Sequence, residues 1–283
     1  MREIPTVVVI GAGTMGSGIT QSYLGAGSAV TLVDRSDAVL DRALDRIRDG
    51  FTRQWRERPD VDELVEAAFD RLQVASEIPR RDDVDLVIEA VPEDAALKRQ
   101  VLLVIDERLP AATVIASNTS SLSISGLAEA LLDPGRFIGM HFFNPVPRSS
   151  LIELVTAPTT SHSTLVSAQL WAQLLGKTTI VVRDSPGFAT SRLGLAIGLE
   201  AIRMLEEEVA SAEDIDAGMT LGYKHPIGPL RLTDMVGLDV RLGIAEHLAR
   251  ELGPRFEPPD LLREMVRTGN LGQKTGEGFY RWD

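Results

Sequence analysis

Thr6-Val7-Val8-Val9-Ile10-Gly11-Ala12-Gly13-Thr14-Met15-Gly16 decides the fold. A compact β-branched run enters a glycine-rich turn, and a helical pattern follows to about Leu24. The glycines match G-x-G-x-x-G, a weak pattern alone that becomes specific when set between a strand and a helix. Gly11 permits the tight turn, Gly13 lets the backbone approach a pyrophosphate, and Gly16 lets helix and strand pack closely. The helix start, with Thr14 and Met15 in its first turn, offers N–H groups and positive potential to phosphates. A second apolar run, Val30 to Val33, ends at Asp34, 18 residues after Gly16. A carboxylate there accepts hydrogen bonds from the adenosine ribose and points to NAD rather than NADP, although Arg35 beside it has the chemistry to meet a 2′-phosphate.

Outward from this stretch the rhythm continues. A polar helix follows Asp34, capped by Ser36, with Val39, Leu40, Ala43 and Ile47 on its apolar side. Asp82 to Ala90 reads as a strand, Leu97 to Leu109 as a helix and Thr113 to Ala116 as a short buried strand. Phe137 to Phe143 and Leu151 to Val155 are two more strands; a helix spans about Ser163 to Leu175, and Thr178 to Val182 closes the series. Alternation of this kind predicts an α/β fold, a Rossmann-like parallel sheet covered by helices on both faces. Asp184-Ser185-Pro186-Gly187-Phe188 breaks the rhythm, and from Ala189 the pattern is helical. Leu193, Leu195, Ala196, Leu199, Ile202 and Leu205 form an apolar stripe, and further helices are expected over Ala212 to Met219, Leu230 to Ala249 and Pro259 to Thr268. The expected domains are residues 1–183, dinucleotide-binding, and 184–283, smaller and all-helical.

Composition narrows the classes. A chain of 283 residues suits two domains, and 44% hydrophobic with 25% charged residues excludes wholesale disorder. Its 41 acidic against 29 basic side chains, a formal charge of -12, argue against nucleic acid or an anionic membrane as partner. Without cysteine there is no disulfide framework, thiol nucleophile or thiolate metal site. The four histidines show no H-x-x-x-H spacing, so no metal is expected. No apolar run approaches a membrane span, and the strand pattern begins almost at the N-terminus without a signal sequence, so a cytoplasmic location is expected.

His141 stands at the end of a predicted strand, in His141-Phe142-Phe143-Asn144-Pro145. Its ordinary pKa near 6.5 suits a general base at a sheet edge. Glu153 interrupts the apolar run Leu151-Ile152-Glu153-Leu154-Val155, where an unpaired carboxylate costs several kcal/mol or protonates. A return loop containing Pro145 and Pro147 brings the two within reach. The carboxylate then fixes the imidazole tautomer and stabilises the imidazolium. A purely structural His–Glu pair accounts for the same residues equally well.

These motifs together resemble the short, stand-alone L-3-hydroxyacyl-CoA dehydrogenase family, particularly its 3-hydroxybutyryl-CoA members. The resemblance spans essentially the whole chain: Gly11 to Gly16, Glu89-Ala90-Val91-Pro92-Glu93, Ser117-Asn118-Thr119-Ser120-Ser121, His141 to Pro145, Glu153, Asp184 to Phe188, His225-Pro226-Ile227-Gly228-Pro229, and Gly272 to Tyr280. It implies reversible oxidation of an (S)-3-hydroxyacyl thioester to the 3-ketoacyl thioester with NAD. His141 is implied as the base, Glu153 as its partner, Ser120 as a hydrogen-bond donor near the reacting oxygen or thioester, and Asn144 as a residue ordering that pocket. Asn118, Glu93 and Lys98 match positions near the nicotinamide half of the cofactor. The helical domain is implied to bind substrate and to form a homodimer, through the stripes Ala196, Leu199, Ile202, Leu205 and Leu238, Val240, Leu242, Ile244.

One position departs from the family. Asparagine usually follows the Pro-Gly-Phe turn beside the catalytic histidine; here Ser191 stands in its place as a substrate-binding residue, with less reach and one donor fewer. Between Arg42 and Arg58 lie six arginines, Arg46 and Arg53 among them, and three acids. In the family this segment projects toward the coenzyme A tail, and arginine grips phosphate bidentately. A solvated arginine-rich helix face is the competing reading, and an acyl carrier protein thioester is compatible with the same patch. The cofactor fingerprint is equally compatible with a dehydrogenase of a free hydroxy acid and with a non-enzymatic NAD-binding protein.

Overall fold

The computed structural model describes residues 3–282. It divides into two compact units, Met1–Asp184 and Ser185–Asp283. In the first the elements run β1 (Val7–Ile10), α1 (Thr14–Gly25), β2 (Val30–Val33), α2 (Asp37–Gln54), α3 (Val61–Phe69), β3 (Leu72–Ala75) and β4 (Leu86–Glu89). Then follow α4 (Ala95–Arg108), β5 (Val114–Ser117), α5 (Ile124–Ala128), β6 (Phe137–Phe142), β7 (Leu151–Thr156), α6 (His162–Leu174) and β8 (Thr178–Arg183). Among the described residues the strands form one sheet in the order β3-β2-β1-β4-β5-β6-β7-β8, and every neighbouring pair is parallel except β6 and β7. The strand order reverses beside β1, which leaves a crevice at the carboxyl ends of the strands there.

Alternation along each strand sorts side chains between the faces. Val7, Val9, Leu86, Ile88, Ala116, Met140 and Phe142 join one core with Ile19 and Tyr23 of α1, Ile47 and Phe51 of α2, and Trp171 of α6. The alternate positions put Glu89, Ser117 and His141, at or near the strand ends, on the opposite face, and all three are buried. Three elements were not legible in the periodicity: α3, α5 and β3. The last is an edge strand whose Gln73 and Val74 are exposed, so it carries no buried apolar run. Ser36 stands at the N-cap of α2 but does not cap it with its side chain; its amide instead donates to Asp34 Oδ1 at 3.1 Å. Asp184 belongs to the first unit, because its carboxylate accepts Ser123 Oγ and Ser125 N, both at 2.8 Å, at the start of α5.

The second unit comprises α7 (Thr190–Glu206), α8 (Ala212–Ala217), α9 (Pro229–Val236), α10 (Leu238–Leu252) and α11 (Asp260–Thr268). The single helix expected over residues 230–249 is two. Gly237 has φ +100°, its amide closes α9 on Thr233 O, and Leu238 N turns to Leu271 O. Apolar positions continue through this break, which hides it from periodicity. The expected dimer stripes also need correction: Leu199, Ile202 and Leu238, packed with Leu205, Leu242 and Ile244, form the unit's own core. Of the expected stripes only Ala196 and Val240 are exposed, and Val240 lies with Leu193, Ile197, Met235 and Val236 in an exposed apolar set on α7, α9 and α10. Among the described residues no helix is long and apolar enough to cross a membrane.

The aromatic tail docks through polar contacts as well as apolar area. Asp234, 1% exposed, accepts Phe279 N, Tyr280 N and Trp282 Nε1, each at 2.9 Å. Tyr280 OH donates to Asp216 Oδ2 at 2.9 Å, while the Asp216 carboxylate accepts Leu230 N and Arg231 N at the start of α9. Asp234→Ala strands three donors at about 1–3 kcal/mol each, so a loss of roughly 3 kcal/mol or more is expected. Thermal unfolding monitored by tryptophan fluorescence checks this; an unchanged Tm would reject the clamp.

Candidate active site

The glycine loop leaves β1 as a tight crossing under β4. A β-carbon on Gly11, at φ +100°, would lie 2.6 Å from Ala90 O, and one on Gly16 would lie 1.7 Å from Gly11 O. Those two positions therefore admit no side chain. Gly13 differs: nothing lies within 4 Å of its would-be β-carbon, so the backbone there faces open space. Gly13 is the N-cap of α1, which has no side-chain cap and no acidic residue in its first turn, where Thr14 and Met15 stand. Asp34 Oδ2 accepts Ala12 N at 2.9 Å, which fixes the carboxylate against the loop. Open backbone, an uncapped helix N-terminus and an adjacent carboxylate fit the pyrophosphate and ribose of a dinucleotide.

Farther along the sheet, β6 and β7 place His141 directly opposite Glu153. His141 Nδ1 lies 3.0 Å from Glu153 Oε2, with Glu153 fully buried and His141 nearly so. The His141 ring packs against Phe143 at 4.5 Å between centroids. Beyond β6 the chain turns at the cis Asn144–Pro145 bond. Lys177 holds this return loop by donating to Val146 O at 2.7 Å and to Ser149 O, and burial pulls its ammonium below the usual lysine range.

A second polar network supports the Ser120 loop. Buried Glu89 accepts Lys98 Nζ at 2.7 Å, Ser117 Oγ at 2.6 Å and Val91 N at 2.7 Å. Lys98 also donates to Val91 O and lies 3.4 Å from Glu93 Oε2. Its ammonium is thus turned inward and ties the strand-end carboxylate to Glu93. Glu93 Oε1 accepts Thr119 Oγ1 at 2.6 Å, Ser120 N at 3.0 Å and Ser121 N at 3.1 Å, with Ser120 Oγ at 3.4 Å. Burial alone would raise the Glu93 carboxyl; hydrogen bonding from Thr119, the Lys98 charge and the Ser120 and Ser121 contacts hold it below the usual carboxylate range. Asn118, just past β5, ties to both β4 and β6: its backbone N–H donates to Glu89 O and its side-chain Oδ1 accepts Phe142 N at 2.9 Å.

Arg46 and Arg53 line a cleft of about 620 Å³ together with Thr14, Asn144, Arg56 and Arg148. The structure therefore brings the arginine-rich helix, the glycine loop and the loop after β6 to one opening. Ser191 lies on the first turn of α7 in the second unit. Sequence reasoning passed over Glu89 and Arg148 as site residues. A charged residue ending the apolar run Leu86-Val87-Ile88 was the same signal that singled out Glu153, whereas nothing local marks Arg148. Among the described residues, no cluster of histidine and acidic side chains is arranged to hold a metal ion.

Residues 6–185 match the family described as 3-hydroxyacyl-CoA dehydrogenase, NAD binding domain, and residues 187–282 match 3-hydroxyacyl-CoA dehydrogenase, C-terminal domain. The chain is 39% identical to a probable 3-hydroxybutyryl-CoA dehydrogenase of Bacillus subtilis, over 99% of this chain and 98% of that one. It is 38% identical to the mitochondrial hydroxyacyl-coenzyme A dehydrogenase of Sus scrofa, over 98% and 90%. The crystal structure of (S)-3-hydroxybutyryl-CoA dehydrogenase from Ralstonia eutropha superposes with a TM-score of 0.95 at 41% identity, covering 99% of both chains.

The two glycines separate ligand space from fold space. Gly13→Ala should leave Tm unchanged while weakening NADH binding about tenfold or more, because its methyl enters space the backbone keeps open. Gly16→Ala should lower Tm and expression, because its methyl meets the Gly11 carbonyl. Fluorescence titration with NADH and thermal unfolding read both; unaltered NADH affinity in Gly13→Ala would remove the pyrophosphate from this loop.

Proposed function

The chain belongs to the 3-hydroxyacyl-CoA dehydrogenase family, and from that membership we propose how its own residues carry the reaction and on which substrates. It is an NAD-dependent enzyme that interconverts 3-hydroxyacyl-CoA and 3-ketoacyl-CoA. The observation that carries the mechanism is the 3.0 Å contact between His141 Nδ1 and Glu153 at the strand end. Glu153 accepts a hydrogen bond from Nδ1–H, the proton staying on the ring, so Nε2 is the basic nitrogen. NAD supplies the hydride acceptor when bound. His141 Nε2 takes the hydroxyl proton of the (S)-3-hydroxyacyl group as C3 gives up its hydride, which leaves a ketone; in reverse it returns that proton. The buried carboxylate stabilises the imidazolium that forms.

Ser120 orients the reacting oxygen or thioester from a loop that Glu93 and Lys98 hold in place. Asn118 and Asn144 order the same pocket, and Ser191 takes the substrate-facing position usual for asparagine in the family. Asp34, with Gly11, Gly13, Thr14, Met15 and Gly16, binds NAD. Arg46 and Arg53 meet the phosphates of coenzyme A, which a chain of formal charge -12 must attract locally. The acyl chain is short, the location is cytoplasmic, and the protein is a homodimer in which a second copy covers Leu193, Ile197, Met235, Val236 and Val240.

His141→Gln should lower kcat about 10²–10⁴-fold with acetoacetyl-CoA and NADH while NADH affinity is retained. Glu153→Gln should lower it severely and change the pH profile. Near wild-type turnover in the first variant would reject the base, and unchanged kcat and pH dependence in the second would leave Glu153 a structural partner. For assembly, light scattering after size exclusion should give the mass of two chains, and Val236→Asp should shift it toward one; a concentration-independent monomer would reject the dimer.

A further inference from the structure

Two elements distant in sequence meet at the cleft of about 620 Å³ in the first unit. Arg46, Arg53 and Arg56 line it from α2 and Arg148 from the loop after β6, and no acidic side chain lines it. In a chain with 41 acidic against 29 basic residues, a wall of arginines without an acid is a local reversal of charge. Pairing sorts the arginines in the same way. Arg48 and Arg58, which do not line the cleft, pair with Glu66 and Asp60. Among the described residues Arg46, Arg53 and Arg148 have no ion pair, and Arg56 only approaches its neighbour Glu57 at 3.8 Å.

The backbone that carries Arg148 is fixed independently of any ligand. Val146 is 2% exposed and seated on α1 so closely that a β-carbon on Gly18 would lie 2.9 Å from its own. Lys177, buried and without an ion pair among the described residues, donates to the carbonyls of Val146 and Ser149 on either side of Pro147 and Arg148. Arg148 N and Ser149 N both donate to Pro145 O at 3.0 Å, which closes the segment into a turn. On the other side α2 is set equally closely on α1, because a β-carbon on Gly50 would lie 2.2 Å from Gln21 Oε1. Helix α1 therefore sets the spacing between the two arginine-bearing elements, and only side chains remain to be ordered when an anion binds.

We propose that Arg148 binds a coenzyme A phosphate from the loop side of this cleft, and that it sets the preference of the enzyme for coenzyme A over a phosphate-free thioester. The inference rests on the placement of the coenzyme A phosphates at Arg46 and Arg53 proposed above. A guanidinium takes two oxygens of a phosphate and leaves the others exposed, so a second element that carries an unpaired arginine completes the grip. The dinucleotide is the other source of phosphate, since Thr14 of the glycine loop also lines the cleft. Its pyrophosphate, however, already has the open backbone at Gly13 and the uncapped start of α1. The loop arginine is therefore left for the thioester.

The test follows reduction of acetoacetyl-CoA and of acetoacetyl-pantetheine by NADH in wild type, Arg148→Met and Arg80→Met. Arg80 is exposed, pairs with Glu107 and does not line the cleft, so its variant removes the same charge elsewhere. Arg148→Met should raise KM for acetoacetyl-CoA about fivefold or more with kcat within about twofold. It should leave kcat/KM for acetoacetyl-pantetheine, NADH affinity and Tm unchanged, because the side chain is exposed and unpaired. Arg80→Met should alter none of these. An unchanged KM for acetoacetyl-CoA, or equal losses on both thioesters, would overturn the proposal. So would weakened NADH binding, which assigns Arg148 to the dinucleotide, or an equal effect in Arg80→Met, which reduces it to net charge. If wild type reduces neither thioester, the dehydrogenase reading itself has failed, and calorimetry with coenzyme A decides the site. Binding weakened about fivefold or more in Arg148→Met upholds it, while equal binding or none overturns it.

Discussion

A fully buried carboxylate in the middle of β7 constrains the rest of the first unit. Glu153 is flanked by Ile152 and Leu154, both at zero exposure, so it can remain ionised only beside a matched donor. The antiparallel pairing of β7 with β6 supplies one by setting His141 opposite. A slip of one residue would turn Glu153 toward the core that holds Met140, Leu154 and Trp171, and would bring an aliphatic side chain to the imidazole. Register and chemistry are therefore specified by the same contact. It is also the one place among the described strands where the sheet reverses direction, and the loop that permits the reversal is fastened by Lys177.

The same solution recurs at the neighbouring strands. Glu89 ends β4 with no exposure, and a lysine ammonium, a serine hydroxyl and a backbone amide answer its charge. Lys98 then couples that buried pair to Glu93, and Glu93 gathers the backbone and hydroxyl donors of the Ser120 loop. In a low-dielectric setting each link strengthens the next, and a partly satisfied network would be costly. The Ser120 loop is thus held by a continuous chain of charge-assisted hydrogen bonds running back into the sheet. Lys98 meets the Ser120 loop only through that chain, because its own donors face inward.

What could be read beforehand followed from the physics of burial. The runs at β1, β2, β5 and β6 are apolar because helices cover both sheet faces, and charged residues inside or ending such runs mark positions that need partners. That logic found Glu153, and applied equally it would have found Glu89; Asp34 was legible instead from its spacing after the glycine turn. It failed where burial leaves no periodic trace. The edge strand β3 is half exposed, α5 spans only Ile124–Ala128, and the Gly237 break interrupts a helix without interrupting its apolar spacing. The dimer stripes illustrate the opposite error. Leu199, Ile202 and Leu238 are apolar at helical spacing because the unit's own core takes them, and spacing alone does not say which of two partners a stripe meets.

Charge organises recognition in this acidic molecule at short range. A formal charge of -12 repels anions in general, so a substrate rich in phosphate is held only where arginines are concentrated against that background. The cleft bearing Arg46, Arg53, Arg56 and Arg148 has this character in the first unit, where side chains keep contact with solvent and the penalty for an empty site is small.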